Sequence, residues 1–286
     1  MQETSLTNRR LIIFLSISGL FLTILSTIYF YDRKPLYLSW LMLTPMISVL
    51  FTRILTKEGL KNIYIKPFFK RNKKYYVWAY LLTPIIAFSG AVVYFLLFPD
   101  QLNVLGSKFA FQNDLQSTSE YVKSLLTVLP LCILVNPLGG LLSCLGEEFA
   151  WRGYLLPKLT EKFAPIKAIT LTGLIWGIWH APIILMGFNY GKKHTLLGVV
   201  MMIIFCIAIN AILSYLFIKT NSIWVVVVAH SAVNAIDNYS PAYLFTSMSS
   251  QPNLLIGPNL VGIIGGMGFL VVAFFCYQYF YRLSKF

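Results

Sequence analysis

Eight apolar stretches divide this chain, at 11–31, 36–52, 76–98, 124–145, 168–188, 195–218, 222–238 and 259–281. Each approaches the ~20 residues that a helix needs to cross the hydrocarbon of a bilayer. Little chain is left for a soluble core. The pattern predicts an all-α, polytopic transmembrane bundle of about eight spans. Only 12% of the residues are charged, against the ~25% usual in soluble domains. Arg9 and Arg10 precede the first run and could suggest a signal peptide, but Leu11–Tyr31 spans 21 residues. Signal cores run to only ~7–15, so a retained helix is expected. The second and seventh runs are short, and Pro137-Leu138-Gly139-Gly140 is the place where the fourth run is expected to kink or break.

The loop charges orient the bundle. With the N-terminus in the cytoplasm, 17 Lys and Arg fall on inside segments and 5 on outside ones, Lys123 lying at a boundary. That is the bias of the positive-inside rule, and eight spans also bring Arg282 and Lys285 back to the cytoplasm. The net charge of +13 therefore reads as juxtamembrane charge, and no nucleic acid partner is expected. Between Arg53 and Lys74 the lysines interleave with Ile63, Tyr64, Ile65, Phe68 and Phe69. A solvated cytoplasmic loop is the preferred reading there, with contact to anionic lipid headgroups the alternative. Cys132, Cys144, Cys206 and Cys276 all lie in apolar runs, as packed thiols do. No CxxC pair and no internal repeat occur, and the latter speaks against a transporter.

Ionisable groups cost roughly 2.5–3.5 kcal/mol or more inside a membrane helix, so the few here are functional candidates. Glu147 and Glu148 are adjacent, and Arg152 lies one turn after Glu148, within pairing reach. That leaves Glu147 without a cation on its own helix. A helix-end salt bridge at the interface is the plain reading, and it accounts for only one of the two carboxylates. His180 lies midway along an aromatic-rich run, where a satisfied core histidine is the plain reading. His230 and Asn234 share one helix face, where they could serve as interhelical hydrogen-bonding groups. His194 follows two lysines in an outside loop and is given no role. Converged on one cavity, the set supplies a base, a second proton-handling group and neutral donors. That inventory suits hydrolysis of an amide by water.

Glu-Glu-x-x-x-Arg, a histidine in an aromatic-rich span, and His-x-x-x-Asn follow one another in order. This arrangement resembles the CAAX protease and bacteriocin-processing family, which contains the type II CAAX prenyl endopeptidases and the bacterial Abi proteins. Glu147, Glu148 and Arg152 match its first motif, His180 its second, and His230 with Asn234 its third. Trp151-Arg152-Gly153-Tyr154-Leu155 and Trp179-His180-Ala181-Pro182 also look like bacterial members. The resemblance covers about 124–240. It implies an intramembrane endopeptidase in which Glu147 activates water and His180 holds it. His230 and Asn234 would donate to the oxyanion, and Glu148 with Arg152 would orient the first helix.

The organisation expected is a three-span region at 1–123 with its basic loop, a protease core at 124–240, and an outside loop with the last span at 241–286. A multi-pass protein of a bacterial plasma membrane is implied, in contact with lipid and with a peptide or lipidated protein substrate. No cofactor is expected. A zinc metalloprotease using the same glutamate and histidines is an alternative, although there is no His-Glu-x-x-His helix. A peptide-binding immunity or scaffold protein without turnover is another. The topology is open to cysteine labelling: position 65 should react from the cytoplasmic face and position 110 from the opposite face. The reverse pattern would overturn the layout.

Overall fold

The computed structural model describes residues 2–284; Lys285 lies outside them. It is a helical bundle. Along the chain run α1 (Gln2–Asp32), α2 (Leu36–Leu55), α3 (Phe69–Leu97), α4 (Lys108–Gln112), α5 (Thr118–Leu134) and α6 (Asn136–Ala150). A π-helical turn, Trp151–Leu155, leads into α7 (Leu156–Thr160), followed by α8 (Pro165–Trp179), α9 (Ala181–Leu185) and α10 (Thr195–Thr220). The chain ends with α11 (Ile223–Asp237), α12 (Pro241–Phe245) and α13 (Met267–Leu283).

Five helical stretches among the described residues are long and apolar enough to cross a membrane, at 5–32, 36–55, 69–97, 118–160 and 195–220. This fits a multi-pass membrane bundle. The other three expected spans are shorter helices. The run 168–188 divides at His180 into α8 and α9, because Pro182 lacks the N–H that would extend α8. The run 259–281 becomes helical only at Met267, after turns set by Gly262, Gly265 and Gly266. α8 and α11 have 15 residues each, which at 1.5 Å per residue reach about 22 Å. Both are packed inside the bundle, where neighbouring helices satisfy their ends.

The fourth run breaks at Val135, between α5 and α6, just before Pro137. The Pro137 carbonyl accepts a bond from Ser231 Oγ on α11. Helical structure then continues to Thr160. Glu147 and Glu148, expected at the cytoplasmic end of a span, instead lie midway along the 136–160 stretch. The π turn follows them directly. Pro157 would clash with the carbonyl four residues back, at Gly153, and the widened turn lies there.

The loops gather at two ends of the bundle. At one end, Glu58 joins Lys158 at 2.9 Å and Arg10 at 3.5 Å, and Tyr154 Oη donates to it at 3.0 Å. Burial pushes the Glu58 carboxyl up, but Lys158, Tyr154 and Arg53 more than offset this and hold it below its ordinary value. The segment 56–68 is not a free solvated loop. Arg53 donates to the carbonyls of Gly59 and Lys61, while those of Tyr64 and Ile65 accept from Ile223 N–H and Trp224 Nε1. Its lysines stay exposed. At the other end, 98–117 meets 239–250 through the bridges Leu102–Thr246 and Ser107–Ser247. Ala110 is buried there against Tyr121, so exposed Phe111 is the better labelling position.

α8 and α10 approach closely through Gly173 and Gly177, a small-xxx-small face. A Cβ on Gly177 would lie 2.6 Å from Ile203 Cα, and one on Gly173 2.8 Å from Ile207 Cα. Backbone atoms cannot yield as a side-chain end can. Gly177→Ala is therefore expected to destabilise by about 1–3 kcal/mol and to shift His180, three residues on. A thermal melt of the purified variant checks this; an unchanged melt would mean that the helices part freely.

Candidate active site

α6, α8, α10 and α11 enclose a cavity of about 210 Å³ with α2 and the 260–261 turn. Glu147, His180, His230 and Asn234 all line it. Glu148 and Arg152 stand behind the wall, each fully buried. The structure thus brings together all six residues singled out in the sequence.

Glu147 is held by two indoles. Trp151 Nε1 donates to its Oε2 at 3.1 Å and Trp176 Nε1 at 2.5 Å. Trp151 is four residues on along the same helical stretch, whereas Trp176 reaches across from α8. Both bonds fall on one oxygen. Oε1 has no partner among the described residues and is not an enclosed atom. It is the carboxylate oxygen that the cavity can use.

Glu148 serves another purpose. Its Oε1 accepts from Arg152 Nη1 at 2.7 Å and lies 2.7 Å from His230 Nδ1. The pairing of Glu148 with Arg152 expected from their spacing is present, but neither residue is at an interface. Arg152 does not belong among the cytoplasmic loop charges, and the inside bias survives its removal. Nor is Glu148 only a helix-orienting group, since it reaches α11 and fixes a histidine. Arg152 also lies over the Trp176 ring, 4.3 Å from its centroid, a cation–π contact favoured by exclusion of water. Among the described residues its Nε and Nη2, and Glu148 Oε2, have no hydrogen-bond partner.

The histidine tautomers follow from their partners. His180 Nδ1 is 2.8 Å from the Trp176 carbonyl. A carbonyl only accepts, so Nδ1 carries the proton and the neutral ring keeps its lone pair on Nε2. His230 Nδ1 faces a carboxylate oxygen, so it too donates, leaving its Nε2 for the cavity. Among the described residues Asn234 Nδ2 has only Cys144 Sγ, at 3.6 Å, a weak acceptor. Its amide is nearly free to donate elsewhere.

Several wall residues carried no sequence signal of function. Trp176, in the aromatic-rich run, lines the cavity without having been singled out; Trp151, just behind the wall, is marked only as part of a flank resembling bacterial members. The spacing of Trp176, one turn before His180, was the available clue. Asp237, one turn after Asn234, lines the cavity and is exposed. Cys206 Sγ lies 3.9 Å from His180 Nδ1. Among the described residues no three His, Cys, Asp or Glu side chains form a cluster suited to a metal ion.

Removing one partner of a buried pair strands the other. Arg152→Ala leaves Glu148 to His230 alone and should cost about 3–5 kcal/mol. Purified variant and parent should differ clearly in their thermal melts. Equal melts would show the pair to be energetically idle.

Part of the chain resembles known proteins. Residues 124–236 match the model of the family described as type II CAAX prenyl endopeptidase Rce1-like. CAAX prenyl protease 2 of Methanococcus maripaludis is 30% identical over 84 residues, 29% of this chain. The match spans only 27% of that relative's length. Glu147, Glu148, Arg152, His180, His230 and Asn234 all fall within the residues that are similar to the Rce1-like type II CAAX prenyl endopeptidases.

Proposed function

We propose that the protein is an intramembrane endopeptidase in which Glu147 activates a water molecule to hydrolyse a peptide bond of a membrane-associated protein or peptide. The observation that carries this reading is the division of labour on Glu147. Two indoles fix Oε2, while Oε1 is left to the cavity that His180 also lines. A base held in one orientation at a water-accessible wall needs little reorganisation at the moment of reaction.

The geometry supports the following steps. Glu147 Oε1 takes a proton from water, and His180 Nε2 accepts that water's second hydrogen bond, which orients its oxygen toward the carbonyl carbon. As the C–O bond forms, negative charge moves to the former carbonyl oxygen. Asn234 Nδ2 donates to it, and His230 donates from Nε2 when its ring is protonated. Glu147 then returns its proton to the leaving amine as the C–N bond breaks. Oxyanion donors of this kind are worth roughly 2.7–4 kcal/mol each in other hydrolases.

Glu147→Gln is expected to lower single-turnover cleavage by roughly 10²–10⁴-fold with an unchanged melt, because the amide is nearly isosteric and cannot accept a proton from water. Substrate would come from trapping: proteins retained by the Glu147→Gln variant in membranes and cleaved by the parent. Substantial cleavage by Glu147→Gln would remove it as the base. Loss of activity on chelation, restored by zinc, would favour a metalloprotease. Binding without cleavage by the parent, across trapped candidates, would favour a scaffold.

A further inference from the structure

The catalytic cavity has one closed end and one open end. None of its wall residues comes from the end of the bundle that carries Arg10, Arg53, Glu58 and Lys158. On that side Trp151, Arg152 and Tyr154 form a floor, each no more than 1% exposed. Phe14 of α1 packs edge-on against Trp151 and Tyr154, at 6.1 and 5.5 Å. A second layer lies beneath. Arg53 sits over the Tyr154 ring at 5.3 Å, and Glu58 ties Tyr154 to Lys158 and Arg10. Moving water or a peptide through this floor would break several buried polar contacts at once.

Toward the other end the wall continues outward. Leu38 is in the first turn of α2, Asn189 is in the loop before α10, and Asp237 ends α11. Asp237 and Asn238 are exposed. Asp237 also opens a second, polar groove over Asn238, Lys108, Gln112, Tyr243 and Ser247. The way from water to Glu147 therefore starts among the loops 98–117 and 239–250. The lysine-rich segments collect at the opposite end, which the positive-inside rule assigns to the cytoplasm.

We infer that the site is entered from the extracytoplasmic face. Its substrate is a membrane-anchored polypeptide whose cleaved segment has already been exported. This deepens the protease reading and rests on it. The wall near the entrance is mixed in character. Leu38, Leu41, Met42, Phe188 and Val261 suit an apolar anchor, while Asp237 and the groove beyond suit an extended polar chain.

The test uses the full chain in sealed cells and in inverted vesicles, with a membrane-impermeant maleimide as probe. All four native cysteines are buried, so the parent serves as the blank. Asp237→Cys, or Asn238→Cys should the first fail to fold, is expected to react at least tenfold faster in cells than in inverted vesicles. Ile65→Cys should show the reverse. A trapped substrate segment is then fused to either end of a single-span anchor, so that it faces one side or the other. Only the exported version should be cut, and Glu147→Gln should cut neither. Faster labelling of position 237 from the cytoplasmic face, no labelling even in detergent, or cleavage of the cytoplasmic version would overturn the inference while leaving the protease standing. Labelling from outside with no cleavage of either version would retain the outward entrance but defeat both the protease reading and the substrate assignment.

Discussion

A single carboxylate oxygen, Glu148 Oε1, ties the structure together. It meets Arg152 one turn along its own helical stretch and His230 on α11, both at 2.7 Å. Burying these groups is costly, and breaking the set leaves an unpaired charge where water cannot reach. The packing around it follows. Arg152 lies over Trp176, which brings α8 against α6, and Trp176 turns its indole N–H to Glu147. One shared oxygen thus sets the relative positions of three helices, and the orientation of the second glutamate depends on them.

The two adjacent glutamates consequently have different tasks. Glu148 has spent one oxygen on a cation and a histidine. Glu147 has spent one oxygen on neutral indole donors and keeps the other for the cavity. Neutral donors orient a carboxylate without placing an opposing charge beside it. The π turn contributes by keeping Trp151 beside Glu147 and Arg152 beside Glu148 while the chain accommodates Pro157.

The ends of the bundle divide structure from access. The end with Arg10, Arg53, Glu58 and Lys158 is sealed by stacked aromatic rings and ion pairs. The opposite end is built from short helices, turns and a polar groove. α8 and α11 are too short to cross hydrocarbon unaided, yet they carry His180, His230 and Asn234. A short helix enclosed by longer ones can place polar groups at depth, because its termini are satisfied by protein or face a water-filled cleft.

The sequence alone determined the helical class and the membrane setting, and it singled out six polar residues that the fold gathers around one cavity. Apolar runs and the cost of burying charge leave few alternatives, and the ordered motifs narrow them further. The spacing of Glu148 and Arg152 also revealed their pairing, since four residues make one turn. What lay beyond it was contact between distant segments. That Glu148 grips His230, that Trp176 reaches Glu147, and that Trp151 and Arg152 close a floor all depend on how helices pack, and helical spacing carries no information about the neighbour across the gap. The length of the glutamate helix was misjudged for the same reason. Hydropathy ends the fourth run where polar residues begin, but once Glu147, Glu148 and Arg152 are satisfied by partners inside the bundle, the helix can continue to Thr160. Tertiary structure decided which polar groups face the cavity and which end of it is open.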